Sequence, residues 1–168
     1  LFYISGNEHL STGKIKGNIF KPGVLKKIHD SHSMAGWFRS KKFVEAKYKE
    51  AKENLLTKYG ELGYRDAIIV SDSVVPNADQ NVNIYINVEE GQKYYVRNIE
   101  WVGNTLYPTD ALSQILRMKK GDVYNQKLLN ERLSEDEDAV GNLYYNNGYV
   151  FSRLDPVETN IVGDSIDL

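Results

Sequence analysis

The 168-residue chain has no cysteine, which excludes disulfides, thiolate catalysis and cysteine-ligated metals. It has three histidines, so little imidazole is on hand for metal or acid-base chemistry. No apolar run approaches the ~18 residues a membrane-spanning helix needs. An excess of one charge sign is also lacking: 21 basic residues face 23 acidic ones, the net charge is -2 and the sequence pI is about 6.0, a poor footing for nucleic-acid binding. The opening Leu1-Phe2-Tyr3-Ile4-Ser5-Gly6 has no initiator methionine, charged leader or cleavage pattern and reads as the interior of a longer polypeptide. What is present, 41% hydrophobic and 26% charged residues, is the composition of a globular chain.

The sequence is duplicated. One apolar run ends in Gly6-Asn7 and another in Gly103-Asn104, a shift of 97. A shift of 85 lays Phe43, Val44, Tyr48, Leu55, Tyr59 and Tyr64 over Leu128, Leu129, Leu133, Val140, Tyr144 and Tyr149. The difference, 97 minus 85, gives the first copy 12 extra residues before its long helix. A shift of 84 lays Val82-Asn83-Ile84 over Ile166-Asp167-Leu168, so the second copy is expected to stop inside its last strand. Two modules follow, 1-91 and 92-168.

Local chemistry orders the elements. Tyr95, Arg97, Ile99 and Trp101 alternate with Val96, Asn98, Glu100 and Val102, as an opening strand does. Pro108 and Asp110 suit the start of a short helix reaching about Met118. Asn125 is expected to cap one long helix with its buried stripe on Leu129, Leu133, Val140, Leu143 and Tyr144, closed by Gly148 with Tyr149 packing back on Tyr144. Gly63 and Tyr64 repeat that ending. Second strands are expected at Ala67 to Val75 and from Val150 to about Thr159. A third covers Val82 to Val88, with Val82, Ile84, Ile86 and Val88 on one face. The fold class is α+β: two β-α-α-β-β modules, each a three-stranded mixed sheet with two helices on one face.

No catalytic constellation emerges, and the chain reads as a non-enzyme without cofactor or metal. His29 and His32 have a metal-compatible spacing on a helix, yet no further ligand is fixed. Glu135-Asp136-Glu137-Asp138 lacks the glycine and spacing of a calcium loop and reads as a solvated helix face. Gly60-Glu61-Leu62-Gly63 resembles the Gly-x-x-Gly loop of KH domains, but Glu61 sits where a phosphate clamp favours a cation. From Lys14 to Lys58 there are 12 Lys or Arg against 4 Asp or Glu. Lys41, Lys42, Lys47, Lys49 and Lys52 read either as the solvated face of an amphipathic helix or as a contact for an acidic partner or lipid head groups. Trp37 and Phe38, inside the insertion, read either as a core plug or as an aromatic anchor for another protein.

A tandem module with Gly-Asn after its first strand and a helix ending in Tyr-x-x-x-Gly-Tyr resembles the POTRA domain. Ile99 to Asn104, Leu116 to Asn125 and Tyr144 to Tyr149 carry the likeness, with Ile4 to Asn7 and Lys42 to Ala67 in the first copy. The Trp37-Phe38 insertion and the Lys-rich helix look like the version in BamA-type outer-membrane assembly factors of Bacteroidota.

The resemblance implies a periplasmic arm that precedes a β-barrel on the same polypeptide, holds accessory assembly lipoproteins and receives unfolded outer-membrane chains without a cofactor or nucleic acid. By that analogy the receiving edge is the second strand, at Ile68, Ile69 and Val70 and at Val150, Phe151, Ser152 and Arg153. Trp37, Phe38, Lys41 and Lys42 are the expected partner contacts. Gly6, Gly63, Tyr64, Gly103, Gly148 and Tyr149 are the structural motif, and Gly91 in the short connection is the expected hinge.

Overall fold

The computed structural model describes residues 1-20, 25-27, 41-77 and 82-168. In chain order the elements are β1 Phe2–Ser5, α1 Thr12–Lys14 widening into π-helical turns over Ile15–Phe20, β2 Leu25–Lys27, β3 Lys41–Phe43, α2 Glu45–Glu61, β4 Ile68–Pro76 and β5 Val82–Glu89. Then come β6 Tyr95–Asn98, α3 Thr109–Leu116, α4 Gln126–Asn130 widening over Glu131–Glu135, α5 Val140–Asn146, β7 Asn160–Val162 and β8 Ser165–Asp167. Two compact units result. Residues 1-59 and 67-90 form the first; residues 60-66 pack with 91-168 to form the second.

In the first unit the sheet order is β1-β5-β4, β5 running parallel to β1 and antiparallel to β4. Alternation does the sorting: Ile84, Ile86 and Val88 are buried, while Tyr85 and Asn87 face out. Tyr48, Ala51, Leu55 and Tyr59, on one stripe of α2, are buried with Ile15 and Phe20 of the first helix. Lys41 and Lys42, expected on a helix face, belong instead to β3, which pairs with β2; the helix begins at Glu45, a carboxylate placed at its positive end.

Gly6 lies where no other residue fits. Its φ is +77°, and a Cβ there would sit 1.9 Å from the carbonyl oxygen of Val88. Just beyond it the buried Glu90 carboxylate gathers the unit's donors. It accepts from the main-chain N–H groups of His9 (2.9 Å) and Leu10 (3.3 Å) and the Tyr59 hydroxyl (2.6 Å), and His9 Nδ1 lies 2.6 Å away. Burial alone raises the Glu90 pKa, but these donors outweigh it, and the carboxyl titrates below its ordinary value.

The second unit has the order β6-β8-β7, again with the last strand central, parallel to the first and antiparallel to the second. Its core joins Tyr94, Val96, Leu116, Met118, Tyr124, Leu129, Leu133 and Ile166. The ladder pairs reproduce the sequence shifts. Taking 85 from Asn160 and 84 from Asp167 gives Val75↔Asn83, and Ile161↔Ile166 likewise gives Pro76↔Val82, both observed in the first unit.

Asn125 caps α4 as expected, its side chain accepting from Leu128 N–H at 2.9 Å. The single long helix after it is overturned. Asp136 turns to extended backbone (ψ 149°), and helix resumes only at Val140. Arg132 causes the break. Only 2% exposed, it donates to the Ile115 carbonyl (2.8 Å), to Asp136 (2.9 Å) and to Asp138 (2.5 Å); a continuous helix would bring Asp136, four residues on, to its side but not Asp138, six residues on. The acidic run is thus the wrapping of a buried guanidinium, and the Arg132 fork in turn holds Asp138 below its usual carboxylate range. Helix α5 closes as read: Gly148 has φ +91°, Tyr149 N–H donates to the Tyr144 carbonyl at 3.1 Å, and the two rings meet edge-on at 6.3 Å.

Two outcomes follow. Arg132→Met orphans the Ile115 carbonyl while its exposed acidic partners rehydrate, so the second unit should lose about 2 kcal/mol by urea denaturation. Glu90→Gln should cost about 2 kcal/mol at neutral pH. Because the folded pKa is depressed, the unfolded chain binds the proton more readily. The wild-type advantage is present above the ordinary carboxylate range, vanishes as pH falls below it, and should show as converging denaturation midpoints on acidification.

Candidate functional edge

β4 occupies one end of the first sheet, and among the described residues no strand pairs with its far side. Which main-chain groups are turned outward follows from one hydrogen bond. Ile84 N–H donates to Leu1 O at 2.7 Å, so Ile84, Ile86 and Val88 turn their amides and carbonyls toward β1, and residues 83, 85, 87 and 89 turn theirs toward β4. Their partners Ile68, Ser71, Ser73 and Val75 therefore spend their groups on the ladder. Ile69, Asp72 and Val74, opposite Val88, Ile86 and Ile84, turn theirs away from the sheet. Pro76 continues this alternation at a position where no ladder amide is required. Val70 is the extra residue of a bulge between Ile69 and Ser71.

The side chains add an apolar accent: Ile68, Val70 and Val75 are each about half exposed. Asp72 ties this edge to α2, accepting from the Tyr48 hydroxyl (2.8 Å) and Lys52 (3.0 Å). Burial raises the Asp72 pKa, but these two donors prevail and lower it; burial and Asp72 together push the Tyr48 phenol upward. Lys52 is consumed by that contact, and Lys47 pairs with Glu50 at 2.5 Å. The basic helix face therefore carries less uncommitted charge than its lysine count suggests.

The other expected positions are placed as follows. Trp37 and Phe38, like His29 and His32, lie outside the described residues. Gly63, Gly91 and Gly103 share a positive φ with Gly6 and Gly148, and Tyr64 is buried. Val150, Phe151, Ser152 and Arg153 are not a strand. Ser152 N–H closes a turn onto the Tyr149 carbonyl at 3.0 Å, Phe151 is 97% exposed, and β7 starts only at Asn160. Residues 153-159 run alongside without a full ladder, held by Glu158, which accepts from Tyr124 (2.8 Å) and Arg65 (3.0 Å), and by Thr159 N–H to Asp167 O (2.9 Å). Sequence reasoning missed Asp72 and Val74 as open groups, because only the ladder register reveals them.

Among the described residues no cluster of His, Asp or Glu is arranged for a metal, and no helix is long and apolar enough to cross a membrane.

Comparison with known proteins agrees with this architecture. The family model "POTRA: Surface antigen variable number repeat" matches residues 2-91 and 94-168. The chain is similar to a putative outer membrane protein assembly factor of Treponema pallidum, 28% identical over 86% of this chain and 17% of the relative. It is similar also to the outer membrane protein assembly factors BamA of Neorickettsia risticii (26% identical, 62% of this chain, 15% of the relative) and Neisseria meningitidis (27%, 78% and 17%). It spans less than a fifth of each. The crystal structure of Haemophilus ducreyi BamA lacking POTRA domains 1-3 shares the fold with a TM-score of 0.59 at 20% identity, covering 94% of this chain and 26% of that one. Two central-last sheets in one duplicated register, with a family match over nearly every residue, make this chain a member of the POTRA family.

Proposed function

We propose that this chain is the periplasmic POTRA portion of a BamA-type outer-membrane assembly factor, non-catalytic, and that it receives unfolded outer-membrane chains by strand addition while docking accessory assembly proteins. The observation that carries this reading is the outward alternation of Ile69, Asp72 and Val74 on β4. An extended peptide laid against these groups gains main-chain hydrogen bonds whatever its sequence, and the exposed Ile68, Val70 and Val75 add weak preference for alternating apolar side chains. At a net ~1 kcal/mol per bond, a pairing of a few bonds is weak and reversible, as handing a client onward requires. The relatives' printed names and the POTRA match support the assignment to outer-membrane assembly. Accessory docking draws support from the basic surplus between Lys14 and Lys58.

The two modes separate by experiment. An unstructured peptide with alternating apolar residues should bind the chain with little dependence on salt, and Val74→Pro and Ile69→Pro, which delete outward amides, should weaken it at least tenfold with the fold retained by circular dichroism. Ser73→Pro deletes a ladder amide and should unfold the sheet instead. Binding that collapses between 50 and 300 mM salt and ignores both outward prolines would overturn strand addition in favour of charge docking.

A further inference from the structure

The solvent face of the first sheet carries a shallow depression of about 370 Å³ that reaches β4. The ladders fix which side chains meet there. Across the sheet Tyr3, Tyr85 and Ser73 form one row, and Ser5, Asn87 and Ser71 form the next. All six line the depression, on the side opposite the buried Ile84, Ile86 and Val88.

The two rows differ in height. The Tyr3 and Tyr85 rings stack, with centroids 4.8 Å apart and planes 13° from parallel, and each residue is nearly half exposed. Tyr85 thus gives one ring face to Tyr3 and turns the other toward Ser73, a side chain too short to cover it. In the next row nothing is larger than Asn87, whose side-chain carbonyl accepts from the Ser5 hydroxyl at 3.1 Å. The aromatic stack stops one strand short of the sheet edge, and the depression is the space it leaves.

We infer that this depression is a socket for one aromatic side chain of the strand that adds to β4, at the position in register with Ser73. The inference rests on strand addition at that edge. Ser73 spends its main-chain groups on β5, so in antiparallel addition it meets the new strand at a non-hydrogen-bonded position, where facing side chains stand closest. The client side chain opposite it lies on the same face, and an aromatic ring is long enough to lean across a serine toward the next strand. It then joins Tyr3 and Tyr85 as a third ring. A branched aliphatic side chain in the same place stops short of Tyr85. An arginine is long enough but finds no counter-charge: the six side chains include no carboxylate, and Asp72, on the opposite face, is held by Tyr48 and Lys52. The favoured clients are therefore extended segments that alternate apolar residues and carry an aromatic among them.

The test uses two alternating Val-Thr peptides that differ at one central apolar position, Phe in one and Leu in the other, titrated calorimetrically into the 168-residue chain. The Phe peptide should bind about fivefold tighter. Tyr85→Thr removes the ring but keeps a strand-forming residue, and Ser73→Val fills the gap beside the ring. Each should bring the Phe peptide down to the affinity of the Leu peptide and leave the Leu peptide unchanged, with the circular dichroism of the wild type. Equal affinity of the two peptides for the wild type, or a Phe preference that survives both substitutions, overturns the socket alone when Ile69→Pro still weakens both peptides. Binding of neither peptide overturns strand addition and the socket together.

Discussion

The position of each unit's last strand in the middle of its sheet governs the rest. β5 spends one set of main-chain groups on β1 and the other on β4, so it cannot hold the first and second strands without leaving each of them an outer side. The same holds for β8 between β6 and β7. Edges are therefore a consequence of topology. In the first unit that edge is β4, nine residues bent once at the Val70 bulge.

Each unit also closes around one buried charge, and the two solutions differ. In the first, the Glu90 carboxylate satisfies the amides of the loop after β1 and the Tyr59 hydroxyl from α2, fastening loop, helix and central strand at one point. In the second, the Arg132 guanidinium fastens α3, through the Ile115 carbonyl, to the acidic segment between α4 and α5. A charge in either place is stable only because its donors or acceptors arrive from separate elements, so each acts as a check on correct assembly as well as a contact.

Much of this was legible from residues alone. The shifts of 97, 85 and 84 were read from glycines, helix stripes and an alternating apolar-polar-apolar triplet, and the latter two return as coincident ladder pairs. The helix stop at Gly148-Tyr149 was legible because its cause is local. What escaped was non-local. An Arg within an amphipathic stretch reads as a surface residue until α3 offers it a carbonyl, so the break at Asp136 had no signal in the sequence. Val150 to Arg153 have strand-like side chains, but a strand is made by a partner, and the turn at Tyr149–Ser152 takes them elsewhere. Lys41 and Lys42 matched a helix period for the same reason: nothing local announces the pairing of β3 with β2. At the candidate edge, Ile68 to Val70 could be proposed from sequence by analogy, whereas the outward set Ile69, Asp72 and Val74 needed the hydrogen bond from Ile84 to Leu1.

The central claim is that β4 presents alternate main-chain groups to solvent. Residue-resolved hydrogen exchange on the free chain measures this directly. The account predicts fast exchange at Ile69, Asp72 and Val74 interleaved with slow exchange at Ser71, Ser73 and Val75. Uniform protection of the amides of residues 68-75 would contradict it, since the edge would then be sealed by the chain itself.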